Sequence, residues 1–155
     1  MPAVFDHWKA ATSQPPLHAV ILAHPDADSF NAAAAQAYCE AVRRLGHEAV
    51  LRDLYRLGFD PVLKSNEQPR PDRFTMSNDV AAELAAIDKA DALVLVYPVW
   101  FGAPPAILKG YIDRVLSMDF GYRFHGPSTE PGLVGRRLFS ISTSGAPDQW
   151  VETTG

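Results

Sequence analysis

Cysteine is nearly missing from this chain of 155 residues: Cys39 is the only one, which excludes a disulfide framework and a thiolate zinc site. Long basic runs are missing too. The 14 Lys+Arg are outnumbered by 18 Asp+Glu, for a formal charge of −4, and no Lys/Arg run is longer than a pair. An acidic chain without a basic stripe is not built to hold nucleic acid. Long apolar runs are also lacking. The longest uncharged stretch, Ala92 to Leu108, is cut by Pro98, Pro104 and Pro105 and falls short of the roughly 20 residues of a spanning helix, so membrane insertion is not expected. His7, His18, His24, His47 and His125 are scattered and make no metal constellation, and no metal is expected. The opening MPAVFDHWKAATSQPP has no apolar signal-peptide core and carries Asp6 early. It reads as an N-terminal extension, residues 1–16, before one domain over residues 17–155, with the cytoplasm as the expected compartment. Apolar residues at 47% and charged residues at 21% suit one globular unit.

What the chain does have is an alternation of short apolar runs and helical patterns. His18 to Ala23, HAVILA, reads as a strand buried on both faces. A helix opens near Phe30, with Phe30, Ala34, Ala37, Ala41 and Leu45 as its expected apolar stripe, and stops at Gly46. Glu48 to Arg52 is a short second strand, and residues 53–78, with three prolines, read as an irregular excursion. A helix over about Asn78 to Ala90 faces inward with Val80, Leu84 and Ile87. Ala92 to Tyr97, ALVLVY, is a third strand. Ala106 to Leu116 is a helix with Ile107, Tyr111, Ile112 and Val115 as its stripe. Gly121 to Gly135 reads as a loop, and Arg137 to Ser142, RLFSIS, as a fourth strand. This order predicts an α/β fold with a doubly wound parallel sheet. Too few residues follow Ser142 to complete a fifth strand and its helices, and a bare apolar edge is unfavourable, so the chain reads as C-terminally incomplete.

In such sheets, ligands bind beyond the carboxyl ends of the strands, where strand order reverses. Three loops qualify: AHPDADSFN (Ala23 to Asn31), YPVWFGAPP (Tyr97 to Pro105) and STSGAP (Ser142 to Pro147). With a strand order of 2-1-3-4-5, all three meet at one crevice. The first offers His24, Ser29, Asn31 and the free amides of a helix N-terminus, which suit a phosphate. The second offers Trp100, Phe101 and Gly102 to a flat aromatic ring. The third offers Thr143, Ser144 and Gly145 as small polar contacts. No G-x-G-x-x-G and no G-x-x-x-x-G-K-[ST] is present, which leaves a nicotinamide Rossmann site or a P-loop without support. A flavin, with phosphate at one end and a planar ring at the other, matches the set.

These residues resemble the flavodoxin-like NAD(P)H:quinone oxidoreductases. The resemblance rests on AHPDADSFN, DLYRLGFDPVL (Asp53 to Leu63), YPVWFGAPPAILKGYIDRV (Tyr97 to Val115), DFGYRF (Asp119 to Phe124) and SISTSG (Ser140 to Gly145), in the family's order. It implies a homodimer with FAD, or FMN, at the strand ends. By position, His24, Ser29, Phe30 and Asn31 hold the phosphate portion, Pro98, Val99, Trp100, Phe101 and Gly102 wrap the isoalloxazine, and Thr143, Ser144 and Gly145 meet its polar edge. Tyr122 and Phe124 match aromatics on the substrate side of the partner subunit's flavin. The implied reaction is ping-pong: NAD(P)H gives a hydride to the flavin and leaves, and a quinone-like acceptor then takes two electrons. Family members carry a tyrosine and a histidine six residues apart after the fourth strand. Trp150 stands at the tyrosine position here, and the histidine position falls beyond Gly155, so no catalytic residue is assigned.

Two other classes fit the same resemblance: a flavoprotein regulatory subunit of a membrane transporter, and a flavodoxin-type electron carrier. Lys109, Asp113 and Arg114 read as surface or helix-pair residues, and Cys39 as inert packing.

Overall fold

A four-stranded parallel sheet organises the computed structural model, which describes residues 14–70 and 72–147. Strand β1 (Leu17–Leu22) leads into helix α1 (Phe30–Arg44) and strand β2 (Glu48–Asp53). Helix α2 (Asn78–Ile87), strand β3 (Ala92–Pro98) and helix α3 (Ala106–Val115) follow. Strands β4 (Tyr122–His125) and β5 (Ser128–Pro131) form a separate antiparallel hairpin before strand β6 (Arg137–Thr143). The sheet order is β2-β1-β3-β6, the crossover order expected of a flavodoxin-like fold. No helix among the described residues is long and apolar enough to cross a membrane.

Burial explains why the central strands are apolar throughout. On one face Val20, Leu22, Val94 and Val96 pack under α1. On the other, Ala19, Ile21, Ala23, Leu93 and Leu95 pack under α2 and α3. A strand covered on both sides has no solvent face to mark with polar residues.

Three expectations need correction. The buried face of α1 is Asn31, Ala32, Ala35, Cys39 and Val42, not the stripe through Phe30 and Leu45, which are 76% and 56% exposed. Six alanines among the 15 residues blurred the wheel, so its true inner face had little contrast in size. The Gly121–Gly135 segment is no simple loop, since its middle pairs as the β4–β5 hairpin around Gly126, whose φ is +58°. Its strands are too short and too exposed to show an apolar alternation. Arg114 is not a surface residue but is 2% exposed. Lys109 and Asp113 do form the expected i,i+4 ion pair, and Cys39 is buried in apolar packing that pushes its thiol pKa up.

Arg114 secures the excursion after β2. Its Nε and Nη2 donate to the two Glu67 carboxylate oxygens at 2.8 and 2.7 Å. Its Nη1 and Nη2 donate to Asp79 at 2.7 and 2.9 Å, and Nη1 also reaches the Asp60 carbonyl. All five guanidinium N–H groups are thus satisfied, and the cation lies 5.2 Å from the centre of the Phe59 ring. Beside it, Arg52 Nε donates to Glu83 at 3.0 Å, and the Tyr111 hydroxyl donates to the same carboxylate at 3.4 Å. A buried charge left without its partner is strongly destabilising, so Glu67 and Asp79 cannot move away from α3 without leaving Arg114 unpaired.

A second buried polar group opens β1. His18 is fully buried, with Nδ1 2.8 Å from the Tyr38 hydroxyl and Nε2 3.0 Å from His47 Nδ1. Burial, and then the neighbouring His47, lower its pKa to about 4, so the ring stays neutral.

Two predictions follow from this packing. A Cβ on Gly110 would lie 2.2 Å from the Pro61 carbonyl oxygen and 2.4 Å from Pro61 Cβ. Gly→Ala inside a helix ordinarily stabilises by about 1 kcal/mol; here Gly110→Ala should destabilise by about 1–3 kcal/mol in urea unfolding, and a gain in stability would contradict the packing. The Glu67 carboxyl is held at about 2, chiefly by the Arg114 hydrogen bonds, against its ordinary 4.5. Unfolded Glu67 therefore takes up a proton at higher pH than folded Glu67. Its stabilisation is complete above pH 4.5 and is lost as pH falls from 4.5 to about 2. Glu67→Gln should flatten that part of the stability–pH curve and cost about 3–5 kcal/mol at neutral pH; parallel curves for the two proteins would refute the pairing.

Candidate functional site

Parallel register sets the site. β3 runs between β1 and β6, with Leu22 level with Val96 and Thr143 level with Pro98. The three following loops therefore leave the sheet along one rim.

Specific contacts join them. The Val99 N–H donates to the Thr143 carbonyl at 2.7 Å, tying the β3 loop to the end of β6. The Thr143 hydroxyl donates to Asn31 Oδ1 at 3.0 Å, tying β6 to the start of α1. The His24 and Trp100 rings approach with centroids 6.0 Å apart, tying the β1 loop to the β3 loop. The Asp26 N–H donates to His24 Nδ1 at 3.1 Å, and the Asp28 N–H to Asp26 Oδ1 at 2.9 Å, so the β1 loop is braced from within. Arg56 donates to the Pro25 carbonyl at 2.6 Å and supports the loop from the β2 side.

The start of α1 has the makings of an anion site. Ser29 caps the helix, its hydroxyl accepting the Ala32 N–H at 3.2 Å. The N–H groups of Phe30 and Asn31 lie in the first turn, where no helical carbonyl can reach them. Asn31 is only 3% exposed, and its Nδ2 is buried without a hydrogen-bond partner. Most buried polar side-chain atoms are paired, so an orphaned amide beside free backbone donors marks a place for an acceptor. This donor set fits a phosphate group of a flavin, and Trp100 beside it fits the ring.

The β3 loop turns sharply. Trp100 and Ala103 exchange backbone hydrogen bonds at 2.9 and 3.0 Å, with φ of +51° at Phe101 and +73° at Gly102. Glycine takes such a conformation freely; phenylalanine does so at a cost of about 1–2 kcal/mol. Phe101 is also fully exposed, so no packing offsets that cost within the chain.

Of the residues expected at the site, His24, Asn31, Val99, Trp100 and Thr143 are linked directly. Ser29 and Phe30 flank Asn31, Pro98 lies beside Thr143 in register, and Phe101 and Gly102 form the turn. Ser144 and Gly145 continue from β6, with the Ser144 hydroxyl accepting the Ala146 N–H at 3.0 Å. Tyr122 and Phe124 stand on the separate hairpin, packed edge-on with centroids 5.7 Å apart. Trp150 lies outside the described residues. Sequence reasoning missed the Arg56 support and the Thr143–Asn31 bond. The first joins residues 31 positions apart and the second residues 112 apart, and neither leaves a local pattern. A groove lined by Gln14, Leu17, Glu48, Lys89 and Asp91 sits at the opposite, amino ends of the strands.

The fold and rim define a doubly wound domain with a strand-end ligand site, and comparison with known proteins gives its family. A family model described as flavodoxin-like fold matches residues 18–155, and the chain belongs to that family. It is 35% identical over 130 residues to a Haemophilus influenzae protein named as an uncharacterized NAD(P)H oxidoreductase, covering 83% of this chain and 64% of that one. It is 31% identical over 150 residues to NAD(P)H dehydrogenase (quinone) 1 of Cavia porcellus, covering 84% of this chain and 54% of that one. Among solved structures, an NAD(P)H:quinone oxidoreductase from Methanothermobacter marburgensis superposes with a TM-score of 0.79 at 27% identity, over 91% of this chain and 73% of that chain. The chain thus spans between about half and two thirds of these two curated relatives' length.

The strained turn is testable without ligand. Phe101→Gly should leave thermal stability unchanged or raise it by up to about 1 kcal/mol, although a large apolar side chain is removed; a clear loss would show that Phe101 packs inside the fold.

Proposed function

We propose that the chain is the flavin-binding part of an oxidoreductase that carries a hydride from NAD(P)H to a quinone or similar acceptor by a ping-pong route. The observation that carries this reading is the buried, unpartnered Asn31 Nδ2 at the N-terminus of α1, on a rim shared with Trp100 and Thr143. The names of the relatives support the reaction class.

When bound, a flavin supplies the two-electron chemistry that no side chain offers. The chain's own residues would hold and orient it. Asn31 Nδ2 and the first-turn amides of Phe30 and Asn31 would donate to its phosphate portion, at the positive end of the helix dipole. His24, whose Nδ1 lies 3.1 Å from the Asp26 nitrogen and 3.2 Å from its carbonyl oxygen, would present its other ring nitrogen to the ligand. Pro98, Val99, Trp100, Phe101 and Gly102 would wall the ring, and Ser144 and Gly145 would meet its polar edge. The cofactor is FAD, with FMN as the alternative. Tyr122 and Phe124 serve the acceptor side of the site in a homodimer, and the setting is the cytoplasm.

Purified protein mixed with FAD or FMN should turn yellow and bind one of them with a dissociation constant of about tens of micromolar or less. NAD(P)H should bleach the colour and a benzoquinone restore it. Asn31→Asp, which replaces the donor by a negative charge, should weaken that binding by about ten- to a hundredfold. A colourless wild-type protein that binds neither cofactor would overturn the reading.

A further inference from the structure

We infer that Thr143 is a positioning residue for cofactor binding: its hydroxyl fixes the Asn31 amide so that Nδ2 is presented as a donor to the anionic group at the start of α1. The inference rests on the flavin reading above and goes beyond it in giving Thr143 a role other than contact with the ring edge.

A side-chain amide is close to symmetric in shape but not in chemistry. One end accepts and the other donates, and a half-turn about its last bond exchanges them. An amide near a phosphate contributes only with the nitrogen end forward; with the oxygen end forward it repels. A hydroxyl can donate to the one end or accept from the other; at Asn31 the bound anion selects the nitrogen end, and the 3.0 Å hydrogen bond in which Thr143 Oγ1 donates to Oδ1 holds that orientation. The other end, Nδ2, has no partner. Asn31 is 3% exposed, so water is poorly placed to do the same work.

Thr143 is itself held. Its carbonyl accepts the Val99 N–H at 2.7 Å, and it stands level with Pro98 at the end of the β3–β6 ladder. The lock therefore refers the Asn31 amide to the sheet rather than to the helix that carries it. It also spends the Thr143 hydroxyl proton on Asn31, so that proton is not available to a ring edge. A valine of the same shape keeps the strand-end packing and removes only the hydrogen bond that holds the amide.

Thr143→Val and Thr143→Ser, as full-length protein, separate this role from a structural one. Dissociation constants are measured by quenching of flavin fluorescence for FMN and for riboflavin, which has the same ring but no phosphate. Thr143→Val should weaken FMN by about tenfold and leave riboflavin within about twofold of wild type. Thr143→Ser, which keeps the hydroxyl, should restore FMN binding to within about threefold. If Thr143→Val binds FMN as wild type does, the lock is overturned while the flavin reading stands. Equal losses for FMN and riboflavin, or no rescue by Thr143→Ser, overturn it in favour of a packing role. A wild-type chain that binds neither compound overturns the flavin reading and the lock's purpose with it.

Discussion

The parallel pairing of β3 with β1 on one side and β6 on the other is the constraint from which the rest follows. Parallel neighbours point their carboxyl ends the same way, so loops from distant parts of the chain leave the sheet side by side. Asn31 and Thr143 are 112 positions apart, yet they hydrogen-bond because β1 and β6 flank one strand. Loops alone could not hold such a constellation in place. Here each is tied at its root to a ladder of backbone hydrogen bonds, and the ties between loops only complete what the ladder begins.

The opposite face of the sheet solves a different problem. Residues 54–70 and 72–77 form no sheet and little helix, so their backbone groups must face water or find partners elsewhere. The chain fixes them by placing a cation where a core side chain is expected. Arg114 sits one turn from Tyr111 on the inner side of α3, and Glu67 and Asp79 come to it from the excursion and from α2. Such a network adds little net stability over an apolar core of equal volume. What it gives is one arrangement rather than several, because five donors in a rigid plane have few ways of being satisfied at once.

Much of this was legible from the residues. Strands buried on both faces read as continuous apolar runs, and HAVILA and ALVLVY fall where β1 and β3 do. The three loops of the rim follow from strand order alone, and Asn31, Trp100 and Thr143, singled out from them, stand on that rim. What was not legible depended on pairing across the chain. Arg114 looked like any helix-surface arginine, because its partners lie 47 and 35 positions away. The face of α1 was misjudged because alanine differs too little from alanine. The hairpin was hidden because strands exposed on both sides need no apolar alternation. The strain at Phe101 is a matter of backbone angle, which a WFG sequence does not announce.

The face of α1 has a consequence of its own. Ala32, Ala35 and Cys39 form the centre of the contact between this helix and the sheet, with the partly buried Ala34 and Tyr38 beside them. Side chains so small let the two backbones come close, and that closeness sets how far the first turn reaches along the rim. Ala35 is fully buried one turn below Asn31. A bulkier residue there would act as a wedge, tilting the helix like a lever and carrying its dipole's positive pole away from the crevice. The reach of the helix's positive end is thus governed by the girth of a residue that no ligand can touch.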